Sequence, residues 1–186
     1  FLKNAIIDTI IKVSFGTRST KIYMDKISDN MKRDLKLYLK ASLIELIDEI
    51  INNDNKGDYP ISDKIEELSN TVTQKHENIL YHNRFRIGIS QKIINLLLKY
   101  YWSMGKINTP PHCPYDGIIK AYACGADYRD IVNGNNLPNW TDLDDINAYK
   151  DTMKILTQIA KRDVFDSLAK WELQKFNNLN YNAVQI

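Results

Sequence analysis

Glycine and proline are scarce in this chain, at seven and five of 186 residues. A sandwich or propeller built on many tight turns needs more of both, so helices are favoured. Two cysteines, Cys113 and Cys124, are too few for a disulfide framework or a four-thiolate zinc site. A reduced, cytoplasmic setting is the expectation. Nowhere do about eighteen apolar residues run together, the length that a membrane-spanning helix needs. The opening FLKNAIIDTIIKVSF carries Lys3, Asp8 and Lys12 and no small-residue cleavage site follows, so it reads as an amphipathic helix, not a secretion signal. No segment alternates polar and apolar residues for long, and no internal repeat is present.

What is there suits a globular domain. Apolar residues make up 44% and charged residues 26%, enough for a core and a solvated surface. The length suits one domain, 1–186. Charge is nearly balanced, with a net of +2, but the balance is uneven. From Tyr81 to Cys124 the cations are Arg84, Arg86, Lys92, Lys99, Lys106 and Lys120, and the one acid is Asp116. That stretch sums to +5 and the rest to −3, a basic centre suited to an anionic ligand.

The pattern predicts an all-α chain of seven or eight helices. The first ends near Gly16, in FGTRST. Ser28 or Asp29 caps a second, whose apolar face is Leu35, Leu39, Leu43, Leu46 and Ile50. NNDNKGDYP is a loop, and Ser62 caps a third helix running to about Tyr81. HNRFRIG is the next break, and Ser90 caps a helix over 90–104. At about 100° per residue, Lys92, Asn95, Lys99 and Ser103 form one narrow polar stripe on an otherwise apolar helix. That stripe must face water, a groove or a cavity. KINTPPHCP is extended by its prolines, and Asp116 caps the short helix GIIKAYAC. After the turn-rich NGNN stretch, Thr141 or Asp142 caps a helix over 143–159, with Asp144 and Asp145 supporting its positive end. A last helix spans 163–176.

Most familiar chemistries are missing. His76, His82, His112 and the cysteines have no zinc spacing, and neither HExxH nor a di-iron Glu-x-x-His pair occurs. His112 beside Cys113 reads as a packed loop, and no metal or organic cofactor is expected. There is no Gly-x-Ser-x-Gly elbow, Walker sequence or GxGxxG. No arginine precedes a histidine at the spacing small helical RNases use.

What remains is Lys92 with Asp116. Lys92 stands in the first turn of a mostly buried helix, where the dipole and desolvation both disfavour the ammonium form. Such a lysine is a candidate nucleophilic amine. Asp116 follows 24 residues later at the head of the next helix, and an antiparallel return through the proline loop brings it beside Lys92. The amine can attack a sugar C1′ while the carboxylate stabilises oxocarbenium charge.

These residues carry a resemblance. GISQKIIN, from Gly88 to Asn95, resembles the hairpin exit and helix start of helix-hairpin-helix DNA glycosylases of the 8-oxoguanine type, roughly Gly-Val-Gly-x-Lys-Val-Ala-Asp. CPYDGII, from Cys113, is similar to their Val-Pro-Val-Asp and the apolar helix after it. The resemblance covers about forty residues within 81–124, with the archaeal 8-oxoguanine branch nearest. Phe85-Arg86-Ile87 stands where the family has Leu-Pro-Gly, and Ser90 where it often has a second glycine. The resemblance implies a compact helix-hairpin-helix domain with 81–124 as its active-site core. It implies Lys92 as the Schiff-base lysine, Asp116 as the catalytic aspartate and Gly88 as a hairpin glycine. Its partner is DNA, with the target nucleotide flipped into a pocket.

Around that pair, Arg84, Arg86, Lys99 and Lys106 are placed to contact phosphates, and Arg18 can join them. Gln91 and Asn95 lie near enough to orient sugar or base. Tyr115 and Trp140 are loop-borne aromatics for base contact, although packing is the commoner fate of such residues. The expected enzyme is a monomeric DNA glycosylase with lyase capacity, acting on 8-oxoguanine or a bulkier modified base. The rival is a non-catalytic helical module that binds nucleic acid or protein, with phage defence as one setting for it. A third reading is a toxin or defence component that reuses the fold on another substrate.

Overall fold

A computed structural model describes residues 2–16, 21–53, 60–132 and 137–183, with side chains through 177. Eight α-helices occur among the described residues, and no strand. They are α1 (Leu2–Phe15), α2 (Asp29–Asn53), α3 (Ile61–His76), α4 (Ile87–Ser103), α5 (Gly117–Ala123), α6 (Arg129–Val132), α7 (Ile146–Arg162) and α8 (Leu168–Ala183). Arg18, residues 54–59 and the NGNN turn lie outside the described residues. No helix among those described is long and apolar enough to cross a membrane.

The centre of the fold is α4, which packs against α1, α2, α3 and α7. Every residue from Ile87 to Asn95 is buried. Around it gather Ile7 and Ile10 of α1, Leu35, Leu39 and Leu43 of α2, Ile65 and Val72 of α3, and Tyr149 and Leu156 of α7. On α2 the buried face continues through Ile47, which is fully buried, with Leu46 only half-buried beside it. Ser28 caps α2 by accepting from the Met31 amide.

Several helix ends differ from the sequence expectation, and each difference has a local cause. α3 starts at Ile61, one residue before Ser62, with Pro60 ahead of it and no side-chain cap. It stops at His76, and two 3-10 turns, Glu77–Ile79 and Tyr81–Asn83, lead on. There Tyr23 bridges Leu80 in an isolated antiparallel contact.

Ser90 is not the cap of α4, which begins three residues earlier. Its first amides are satisfied from far along the chain. The Ile87 amide donates to Asp144 Oδ1 at 3.1 Å and the Gly88 amide to the Leu143 carbonyl at 2.7 Å. Asp144 is therefore spent on α4. Asp145 caps α7 alone, accepting from Asn147 and Ala148, so neither Thr141 nor Asp142 does. At the far end of α7, Asp163 and the left-handed Val164 break the chain, and α8 starts only at Leu168 behind Ser167.

Candidate active site

Lys92 lies in the second turn of α4, not the first, because the helix starts at Ile87. The helix dipole acts mainly within the first turn, so burial is the stronger influence on the amine. The side chain is almost fully enclosed, at 5% exposure. Burial holds the ammonium below the ordinary lysine range, and the Asp116 carboxylate opposes that shift.

The proline loop returns as an antiparallel arm and brings Asp116 Oδ2 to 3.7 Å from Lys92 Nζ. At that separation the two form an ion pair rather than a direct hydrogen bond. The two carboxylate oxygens have separate tasks. Oδ1 accepts from the Ile118 and Ile119 amides at 3.0 and 3.3 Å and so caps α5. Oδ2 is left for the amine. Trp140 closes the other side, with its ring centroid 4.4 Å from Nζ.

The loop that carries Trp140 is tied down at four places. Tyr115 donates its hydroxyl to the Pro138 carbonyl at 2.6 Å. Lys120 reaches Asn139 Oδ1 at 2.8 Å. The Gly88 amide takes Leu143, and the Ile87 amide takes Asp144. An open groove of about 480 Å³ runs along α5 from the residue after Asp116, lined by Gly117, Ile118, Ala121 and Tyr122.

The polar stripe of α4 faces protein over most of its length. Gln91 and Asn95 are buried. Asn95 Nδ2 donates to Gln91 Oε1 at 3.2 Å and to the Tyr149 hydroxyl at 3.0 Å, and that hydroxyl pairs with His112 Nδ1 at 2.9 Å. Lys99 is bound to the buried Glu172 of α8 at 2.8 Å and covers Phe176. Burial pushes Glu172 above the ordinary carboxylate range, and Lys99 opposes it. Ser103 alone ends in solvent. Cys113 is fully buried, and burial followed by the Glu172 charge pushes its thiol up, away from the nucleophilic thiolate.

The other site residues fall in different places. Arg84 is held by Asp144 at 3.0 Å and Asn70 at 2.9 Å. Arg86 donates to the Lys21 carbonyl and stands over Tyr81. Both sit at the entry to α4. Lys106 is exposed at its opposite end. Among the described residues, no three His, Cys, Asp or Glu side chains gather as a metal site would require.

Sequence reasoning passed over Tyr149, Glu172 and the polar role of His112. For Glu172 a signal was present: it lies four residues after Leu168 and three after Ala169, both buried on α8. Tyr149 and His112 meet across 37 residues, and no local pattern announces such a contact.

His112 gives the fold a measurable acid sensitivity. Burial pushes it down to about 4, from 6.5 in a free histidine. Between those values the unfolded chain takes up a proton that the folded one refuses. The stabilisation is therefore complete above the unfolded value and is lost as pH falls to the folded one, by about 3 kcal/mol. Glu172 works in the opposite sense, so the test is a difference. Urea unfolding at neutral and acid pH should show wild type losing about 3 kcal/mol more than His112→Gln. Equal losses would contradict the assignment.

No protein-family model, no curated protein and no solved structure matches this chain.

Proposed function

We propose that the chain is a DNA glycosylase with lyase capacity that uses Lys92 as nucleophile and Asp116 as electrostatic partner. The observation that carries this reading is the enclosed amine of Lys92, 3.7 Å from Asp116 Oδ2. Burial favours the neutral amine, which is the nucleophilic form. In the reaction, the bond from C1′ to the base breaks and its electron pair leaves with the base, which water protonates. Asp116 Oδ2 stabilises the positive charge on the sugar. Nζ bonds to C1′, and transfer of its proton to the ring oxygen opens the sugar to an imine. Elimination of the 3′ phosphate follows from that imine.

In this reading the domain is of the helix-hairpin-helix type, and residues 77–86 between α3 and α4 replace the hairpin. The Gly88 amide already serves Leu143, so phosphate contact falls to the cations around it. Lys106 is exposed. Arg84 and Arg86 reach a phosphate by exchanging their present partners, and Lys99 contributes through the Glu172 pair instead. The enzyme works as a cytoplasmic monomer without metal or organic cofactor. Trp140 must move off Nζ before a sugar can reach it and then walls the flipped base, while the fully buried Tyr115 holds the Trp140 loop through Pro138. A second reading, a helical module without catalysis, draws on the same enclosure of Lys92: a pair sealed beneath Trp140 also serves as a structural ion pair.

One panel separates the two. Labelled duplexes and single strands carrying 8-oxoguanine, uracil, modified cytosines or an abasic site are incubated with wild type and with Lys92→Gln. Base release or strand nicking by wild type, lost in the variant while DNA affinity is kept, is the expected result. DNA binding without release or nicking on any substrate favours the helical module.

A further inference from the structure

The arrangement that brings Asp116 to Lys92 depends on a side chain whose hydrogen bonds go to neither of them. The peptide of Tyr115 lies in an extended, buried loop with no strand alongside. Its N–H and C=O still need partners, because an unpaired buried backbone group is costly. Gln91 supplies both. Its Nε2 donates to the Tyr115 carbonyl at 2.6 Å, and its Oε1 accepts from the Tyr115 amide at 3.1 Å. A carboxamide has one donor side and one acceptor side, so it can pair with a peptide as a neighbouring strand would. The second Nε2 hydrogen goes to the Gly88 carbonyl at 3.0 Å. Asn95, itself held by Tyr149, donates to Oε1 and fixes the amide from below.

We propose that Gln91 is a positioning residue: by holding the peptide of Tyr115 it fixes the next residue, Asp116, with its free oxygen at the Lys92 amine. This replaces the role expected from sequence, in which Gln91 would orient sugar or base. Its polar atoms are all spent inside the protein. The consequence for catalysis rests on the glycosylase reading, whereas the positioning of Asp116 does not.

The test follows the Lys92 amine itself. The ¹³Cε resonance of Lys92, assigned by its loss in Lys92→Arg, is titrated against pH. Asp116→Asn removes the carboxylate that opposes the burial shift, so Lys92 should titrate lower than in wild type. Gln91→Met should move the titration in the same direction by a comparable amount. The double variant should add nothing further, because both changes act through one contact. If Gln91→Met does not fold, Gln91→Asn decides in the same way, since its amide is one methylene too short to span both groups. A Lys92 titration unchanged from wild type in the folded Gln91 variant, beside a shift in Asp116→Asn, would overturn the proposal.

A second readout separates this result from the enzyme assignment. On the duplex whose base wild type releases, the single-turnover rate of base release should fall on the order of a hundredfold in the Gln91 variant, with Kd for the duplex unchanged. A shifted titration with no base release from any DNA, wild type included, retains the positioning role and ends the glycosylase reading. A release rate equal to that of wild type, with the titration unmoved, overturns the positioning role and leaves the enzyme.

Discussion

Gly88→Ala is expected to lose more than about 4 kcal/mol of folding stability, an exceptional range that severe overpacking is one of the few mechanisms to reach. A Cβ on residue 88 would stand 1.6 Å from the Trp140 carbonyl oxygen and 2.8 Å from its carbon. Neither atom belongs to a flexible side chain. The same backbone stretch feeds the Leu143 carbonyl to the Gly88 amide, so the two segments cannot separate without uncapping α4. Ordinarily the exchange of glycine for alanine inside a helix gains up to about 1 kcal/mol, so the expected sign is opposite to the propensity. Gly117→Ala is the control. Apart from its chain neighbours and its own helix backbone, no atom lies within 4 Å of its added Cβ, and the variant should be neutral or slightly more stable. Urea unfolding of both variants checks the pair. A Gly88→Ala midpoint close to that of wild type would mean that the loop of Trp140 does not sit against α4.

Asp116→Asn is expected to separate the cap of α5 from the charge beside Lys92. Asparagine caps helices about as well as aspartate, and its carbonyl oxygen can keep the Ile118 and Ile119 amides. The cap is therefore kept, and the stability lost should be that of leaving the buried Lys92 amine without its partner, a loss that shrinks as pH rises toward the unfolded lysine value. At the other oxygen the negative charge is lost. Base release should fall on the order of a hundredfold to a thousandfold, as when one preorganised charge-stabilising group is removed. With the opposing carboxylate gone, the Lys92 amine should stay neutral to lower pH, and the acid limb of the residual activity should move to lower pH. Single-turnover base release across pH, beside a melting curve, measures both. Base release by the folded variant equal to that of wild type would mean that Asp116 acts only as a cap.

The parts of this site differ in how far they could be read from sequence. The periodicity of α4 and the polar break at Lys92 are local properties, and so are the prolines that return the chain to Asp116. These carried the expectation that the two would meet, and they stand 3.7 Å apart. The start of α4 was not local. Ser90 has the chemistry of a cap, but the amides ahead of it are served by Leu143 and Asp144, more than fifty positions away. The stripe of Lys92, Asn95 and Lys99 was visible, although what it faces was not. Asn95 meets Tyr149 across 54 residues and Lys99 meets Glu172 across 73. Long-range pairing also changes what the basic centre means. Its +5 is real in the sequence, yet Arg84 and Lys99 are each matched to a carboxylate from elsewhere in the chain.

Gln91 shows the same limit from another side. A glutamine next to a candidate lysine nucleophile suggests a ligand contact when only the sequence is considered. In the fold both ends of its amide serve the peptide before Asp116. The residue types were readable, but the direction in which each side chain spends its hydrogen bonds was not.

The most direct measurement is to identify the lysine that DNA captures. Wild type is incubated with an abasic duplex and borohydride, and the adduct is digested and mapped by mass spectrometry. Attachment at Lys92, and only there, is the predicted result. An adduct on a different lysine, or none at all, would contradict the assignment of Lys92 as the nucleophile.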